Sequence, residues 1–206
     1  MTILQTIFDS ERVNVPLFIE DFVDDSSTYN SVKTMLSNYV KSGDMKRYCQ
    51  GVYYIPSKTI LGDSTLSFES VIERKYIKDK EKVFGYYSAL TLLNLTGLST
   101  QVPNIPEITT NNEATRKRKV KINKLFVIVR RSPIEITAEN APYLQFLDIF
   151  RYASIGTIYD SKEKVLAFFD KNQLSFDMLQ KIEKKVSMKQ RKALRRSGIY
   201  DELAYR

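Results

Sequence analysis

Apolar residues recur along the chain with two periods, and the switches between them mark out its elements. Ile3, Leu4, Ile7 and Phe8 stand at helical spacing and predict a short first helix. Pro16 suits the first turn of a second short helix that carries Leu17, Phe18 and Phe22. Asp24, Asp25 and Ser26 break that pattern and offer N-caps for the next helix. In it, Val32, Met35, Leu36, Tyr39 and Val40 form one apolar stripe, and Gly43 closes it. Met45–Tyr48 and Val52–Ile55 follow as β-prone runs joined by Cys49-Gln50-Gly51, and Pro56 stops the second.

Three helices followed by a two-stranded wing is the element order of a winged helix-turn-helix, expected over residues 1–58. In that architecture the third helix enters the major groove with its N-terminal residues on base edges, and the wing touches the backbone. The polar positions off the apolar stripe include Ser27, Thr28, Tyr29, Asn30, Lys33 and Thr34, groups able to read bases and phosphates. Lys46 and Arg47, leading into the wing, suit phosphate contacts. The same hydroxyls and amide also fit plain helix caps and solvated positions, and winged helices also act as protein-interaction modules.

Beyond residue 58 the pattern predicts a mixed domain, 59–206, of helices around a small sheet, so the whole chain reads as α+β. Helices are expected over Thr65–Ile77, Tyr86–Leu95 and Asn140–Phe150. A further one should open at a capping box of Asp160 with Glu163 and run through Phe169. Another should be capped by Ser175, and the next should start at Ser187 with Gln190. Two basic stretches form a second candidate surface. Arg116, Lys117, Arg118, Lys119 and Lys121 lead into a predicted apolar strand, Leu125–Val129. Lys189, Arg191, Lys192 and Arg195 sit on a predicted helix. Each stretch reads either as a contact for nucleic acid or an acidic protein, or as a solvated charged face.

Charge sharpens this division. The 206 residues carry a net +8, but residues 1–57 carry −2 and the remainder +10. Within the first part, residues 1–25 net −5 and residues 26–57 net +3, which places any anion-binding surface there in the second half. The chain has no histidine and one cysteine, Cys49. Ser-His-Asp and Cys-His catalysis, histidine metal sites, intrachain disulfides and Cys₄ zinc sites are therefore excluded. Glu107, Glu113 and Lys117 faintly resemble a metal-dependent nuclease core, but no Gly-rich phosphate loop or spaced acidic pair supports one. The expectation is a non-enzymatic binding protein with no cofactor and no metal. No 18-residue apolar window and no secretory leader is visible, so a cytoplasmic location and no membrane partner are expected.

Several strings in order resemble a known family. They are Gly51-Val52-Tyr53-Tyr54, then Gly85-Tyr86-Tyr87-Ser88-Ala89-Leu90 with Leu93, and Leu95-Thr96-Gly97-Leu98. Thr100-Gln101-Val102-Pro103 and a strand ending Thr110-Asn111 complete the series. Over residues 5–150 the chain is similar to the AbiEi-type antitoxins and transcriptional regulators of bacterial abortive-infection, or type IV toxin-antitoxin, systems. The resemblance implies a DNA-binding winged helix-turn-helix ahead of a mixed antitoxin domain. It implies repression of the protein's own promoter through double-stranded DNA inverted repeats. It also implies a nucleotidyltransferase-like toxin as partner, antagonised functionally if not through a stable complex. A homodimer would match inverted repeats, as would two monomers bound independently.

Overall fold

The computed structural model describes residues 13–23 and 27–205. The predicted first helix at Ile3–Phe8 and the proposed caps Asp24, Asp25 and Ser26 lie outside the described residues. The architecture is α+β, with helices and small sheets. The chain divides into two units, one of residues 1–74 with 121–125, the other of 75–120 with 126–206.

In the first unit, Leu17–Phe18 form strand β1 and Ile19–Phe22 a 3-10 turn, where a helix was expected over Leu17–Phe22. Pairing overrides the helical spacing. β1 runs antiparallel to β3 (Val52–Tyr54), with Leu17 opposite Tyr53. β2 (Lys46–Cys49) pairs on the other side of β3, giving a three-stranded sheet of order β1-β3-β2. Between them lies α1 (Tyr29–Ser42). Its cap is Thr28, whose Oγ1 accepts the Ser31 N–H while Ser31 Oγ accepts the Thr28 N–H. Gly43 closes the helix at φ +87°, a left-handed conformation that glycine adopts without strain. Val32 and Leu36 from the predicted stripe pack with Leu17, Ile19, Phe22, Met45 and Tyr53 as this unit's core. A small hairpin follows, β4 (Lys58–Thr59) and β5 (Gly62–Asp63). Then comes α2 (Phe68–Tyr76), whose Arg74 pairs with Asp21 at 2.9 Å.

The second unit contains a short hairpin, β6 (Lys78–Asp79) with β7 (Lys82–Val83). β8 covers Gly85–Ser88, and α3 covers Ala89–Leu95. Tyr86, Tyr87 and Ser88 are thus strand where a helix was expected from Tyr86 onward. Aromatic residues suit a pleated surface, and β9 (Glu107–Thr110) gives them an antiparallel partner. β10 (Lys117–Ile122) and β11 (Leu125–Arg131) complete a sheet of order β10-β11-β9-β8, in which β9 and β11 are parallel.

Six helices follow: α4 (Ala141–Tyr152), α5 (Ile155–Asp160), α6 (Lys162–Lys171), α7 (Phe176–Glu183), α8 (Met188–Arg196) and α9 (Ile199–Ala204). α5 was not anticipated. Its cap is Ser154, and it ends on Asp160, so Asp160 does not cap α6 as the sequence suggested. Ser175 and Ser187 do cap α7 and α8, the latter with Gln190 in a full capping box. α4 is the centre of this unit. Phe146, Leu147 and Ile149 are wholly buried, and α7, α8, β8 and α3 pack around it. Phe146 meets Phe150 and Phe169 edge-on.

Gly85 opens β8 at a point of close backbone approach. A Cβ there would lie 1.9 Å from the Tyr76 carbonyl oxygen and 2.9 Å from that of Thr109. Both obstacles are backbone atoms and cannot rotate away. Gly85→Ala is therefore expected to destabilise the fold by about 3 kcal/mol, the upper end for an overpacked core. Urea unfolding of the variant measures this, and a loss under about 1 kcal/mol would contradict the crowding.

Candidate functional site

The predicted reading face of the first unit sits at the N-terminal half of α1. Tyr29, Asn30 and Lys33 are exposed, and their side chains make no hydrogen bond or ion pair among the described residues. The hydroxyls beside them are engaged. Ser27 Oγ donates to the Phe22 carbonyl at 3.2 Å, Thr28 serves the cap, and Thr34 Oγ1 donates to the Asn30 carbonyl at 3.0 Å. In the following hairpin, Lys46 pairs with Asp63 at 3.1 Å, and Arg47 Nε donates to the Cys49 carbonyl at 3.3 Å. The structure thus separates three outward-facing side chains, Tyr29, Asn30 and Lys33, from Ser27, Thr28, Thr34 and Lys46, which already hold local structure, while Arg47 is exposed and engages only its Nε.

The second candidate surface is dispersed in the same way. Lys117 pairs with Glu107 at 3.2 Å, Arg118 with Glu113 at 2.7 Å, and Lys119 lies 4.1 Å above the Phe126 ring. Lys121 and Lys189 are exposed. Glu113 is buried, which alone would raise its pKa. The Thr115 N–H, the Arg118 guanidinium and the Thr115 hydroxyl reverse this and hold it below the ordinary value. Glu107 also binds Arg130 at 3.0 Å, so both acids of the faint nuclease pattern are spent in ion pairs. Among the described residues no cluster of three or more Asp, Glu or Cys side chains could hold a metal ion. Likewise among them, no helix is long and apolar enough to cross a membrane.

Arg191, Lys192 and Arg195 line a shallow groove of about 550 Å³ with Lys184, Met188 and Arg196. Its floor is Glu183, whose Oε1 accepts from Arg195 at 2.6 Å. The Arg195 guanidinium also stacks 3.6 Å from the Tyr200 ring centre, which fixes it against the fold.

Arg116 belongs to a different place, a cavity of about 400 Å³ that sequence reading did not find. Five cations line it: Arg116, Arg130, Arg131, Arg151 and Lys185. Tyr86, Thr109, Asp148 and Gln190 form its polar wall, and Ile134, Leu144 and Val186 its apolar one. Asp148 is 3% exposed. The Tyr86 hydroxyl donates to its Oδ2 at 3.3 Å, and the Gln190 amide donates to its Oδ1 at 3.1 Å. Arg151 stands one turn further along α4, at 4.0 Å. Burial pushes the Asp148 carboxyl up to about 6, against the pull of Arg151, the Tyr86 hydrogen bond and Arg130. A signal for Asp148 was present. It is the one acid inside the run Leu144-Gln145-Phe146-Leu147-Asp148-Ile149-Phe150, where a helix apolar on all sides must be buried. Arg130 carried no such signal, because it falls on the row of Phe126 and Ile128, opposite the fully buried Val127 and Val129.

A family of unknown function (DUF6088) matches residues 2–185. No curated protein matches the chain.

The raised carboxyl of Asp148 sets a pH dependence of stability. The folded state holds this proton to about pH 6, whereas an ordinary aspartate releases it near 3.8. Stability is therefore complete at the acid end and falls as pH rises through this window. Relative to Asp148→Asn, the parent chain should lose about 2 kcal/mol between roughly pH 4.5 and 7.5. Urea melts at the two pH values measure the difference. Parallel profiles for the two proteins would mean that Asp148 does not titrate in this range.

Proposed function

The chain belongs to the DUF6088 family, and we propose that it is a DNA-binding regulator that acts through its first unit as a winged helix-turn-helix. The observation that carries this reading is the outward face of α1. Its inner face is buried through Val32 and Leu36, while Tyr29, Asn30 and Lys33 project together near its N-terminus. Those are the positions from which a recognition helix reads base edges. An amide reads adenine, a tyrosine hydroxyl reaches phosphate or base, and a lysine neutralises phosphate or contacts guanine. The β2–β3 hairpin that follows supplies the wing, with Arg47 exposed on it.

The resemblance to AbiEi-type antitoxins extends the reading. The DNA is then the inverted repeats of the protein's own promoter, and the chain is an autorepressor and antitoxin in the cytoplasm. Its partner is a nucleotidyltransferase-like toxin, antagonised without need of a stable complex, and the chain itself performs no catalysis. The +3 charge of residues 26–57 favours this surface over the acidic segment before it.

Binding of labelled DNA from upstream of the gene, followed by anisotropy across a salt series, tests the proposal. Affinity should fall linearly in log salt, with a slope near −0.9 per phosphate contacted. Lys33→Ala should lower that slope by about one, and Asn30→Ala should cost about 1–3 kcal/mol and relax sequence preference. Thr28→Ala should instead destabilise the fold by about 1 kcal/mol through loss of the cap. If Lys33→Ala combined with Arg47→Ala leaves affinity and slope unchanged, α1 does not read DNA.

A further inference from the structure

The cavity of the second unit takes no part in the DNA-binding reading, and its chemistry asks for a ligand of its own. Thr109 pairs across the sheet with Tyr86 on one side and Arg130 on the other, so these three side chains rise from the same face. Thr109 is 3% exposed, yet its hydroxyl has no hydrogen-bond partner among the described residues. Arg130 Nε is also buried and unpartnered, since its bond to Glu107 uses Nη2. Valine would fill the place of Thr109 without burying a hydroxyl. A donor left over at a cavity wall is a donor for something that enters.

Charge identifies that something. Of the five cations, Arg130 is paired with Glu107 and Arg151 with Asp148, which leaves Arg116, Arg131 and Lys185 without an ion pair among the described residues, and Asp148 already accepts bonds from Tyr86 and Gln190. A monocarboxylate would balance little of the excess. A phosphate group brings up to two charges and several acceptor oxygens, which suits convergent guanidinium groups. The volume of about 400 Å³ exceeds the needs of a lone phosphate, and Ile134, Leu144 and Val186 give an organic portion a surface to rest on.

We propose that this cavity binds a small phosphate-bearing molecule of nucleoside-phosphate size. Its phosphate sits between Thr109 Oγ1 and Arg130 Nε. Arg116, Arg151 and Lys185 complete the anion site. The phosphodiester of duplex DNA has the same chemistry but a convex backbone, and Thr109 lies too deep for it.

Calorimetry and thermal unfolding of the full chain test this with inorganic phosphate, pyrophosphate, ribose 5-phosphate and nucleoside mono- and diphosphates. Chloride at matched ionic strength is the control. At least one organic phosphate should bind one to one, raise Tm, and outcompete inorganic phosphate. Thr109→Val should leave the ligand-free Tm unchanged or higher and weaken binding about tenfold. Arg116→Ala with Lys185→Ala, both exposed and outside any ion pair described above, should weaken binding by a similar factor at unchanged ligand-free Tm. Lys33→Ala should leave phosphate binding intact, so failure of the DNA reading does not touch this result. Tm shifts no larger than those in chloride would overturn the proposal, as would binding indifferent to Thr109→Val and to the double variant. Duplex DNA alone responding to these variants would assign the surface to a nucleic-acid backbone instead.

Discussion

Helix α4 carries a carboxyl group into the middle of an apolar core, and the second unit is arranged around keeping that group satisfied. An ionisable group nearly excluded from water is costly unless each of its oxygens finds a donor. Asp148 finds them on different elements, Tyr86 from β8 and Gln190 from α8. Sheet and terminal helices are thereby tied to one side chain of the central helix. The Tyr86 hydroxyl is in turn held strongly protonated, first by burial and then by the charge and hydrogen bond of Asp148. This network forms one wall of the cationic cavity, so the same bonds that fasten the core also shape the candidate site.

Basic charge on this chain overstates its accessible basic surface. Lys117, Arg118 and Arg195 looked like outward contacts in the linear sequence. Each folds back onto a glutamate, at 3.2, 2.7 and 2.6 Å. Arg116 and Lys185 behave differently, because they line a concavity whose acid is already taken. The distinction between a cation neutralised locally and one left facing a cavity is what converts a net charge into a binding argument.

Local signals were legible where a single element sufficed to set them. The stripe of α1, the glycine at its end, and the caps at Ser175 and Ser187 could be read from spacing alone. Misreadings fell where distant pairing decides. Leu17 and Phe18 have helical neighbours but become strand because Val52 and Tyr53 pair with them. Tyr86–Ser88 lean on β9, some twenty positions away. The cavity was invisible for the same reason, since Tyr86, Thr109, Arg130, Asp148 and Gln190 are gathered from five elements. The outward face of α1 was the readable part, although Thr28 and Thr34 proved to be spent on the helix itself.

Gln190 holds two positions at once. Its Oε1 accepts from Ser187 at the start of α8, and its Nε2 donates to Asp148. A capping box accepts glutamate as readily as glutamine. Here glutamate would set a second carboxyl beside a buried first one, and the pair would have to share a proton. A single-base change of codon therefore meets a barrier that the cap alone would not raise. In this chain the position is thereby held to the amide, unless Asp148 changes with it.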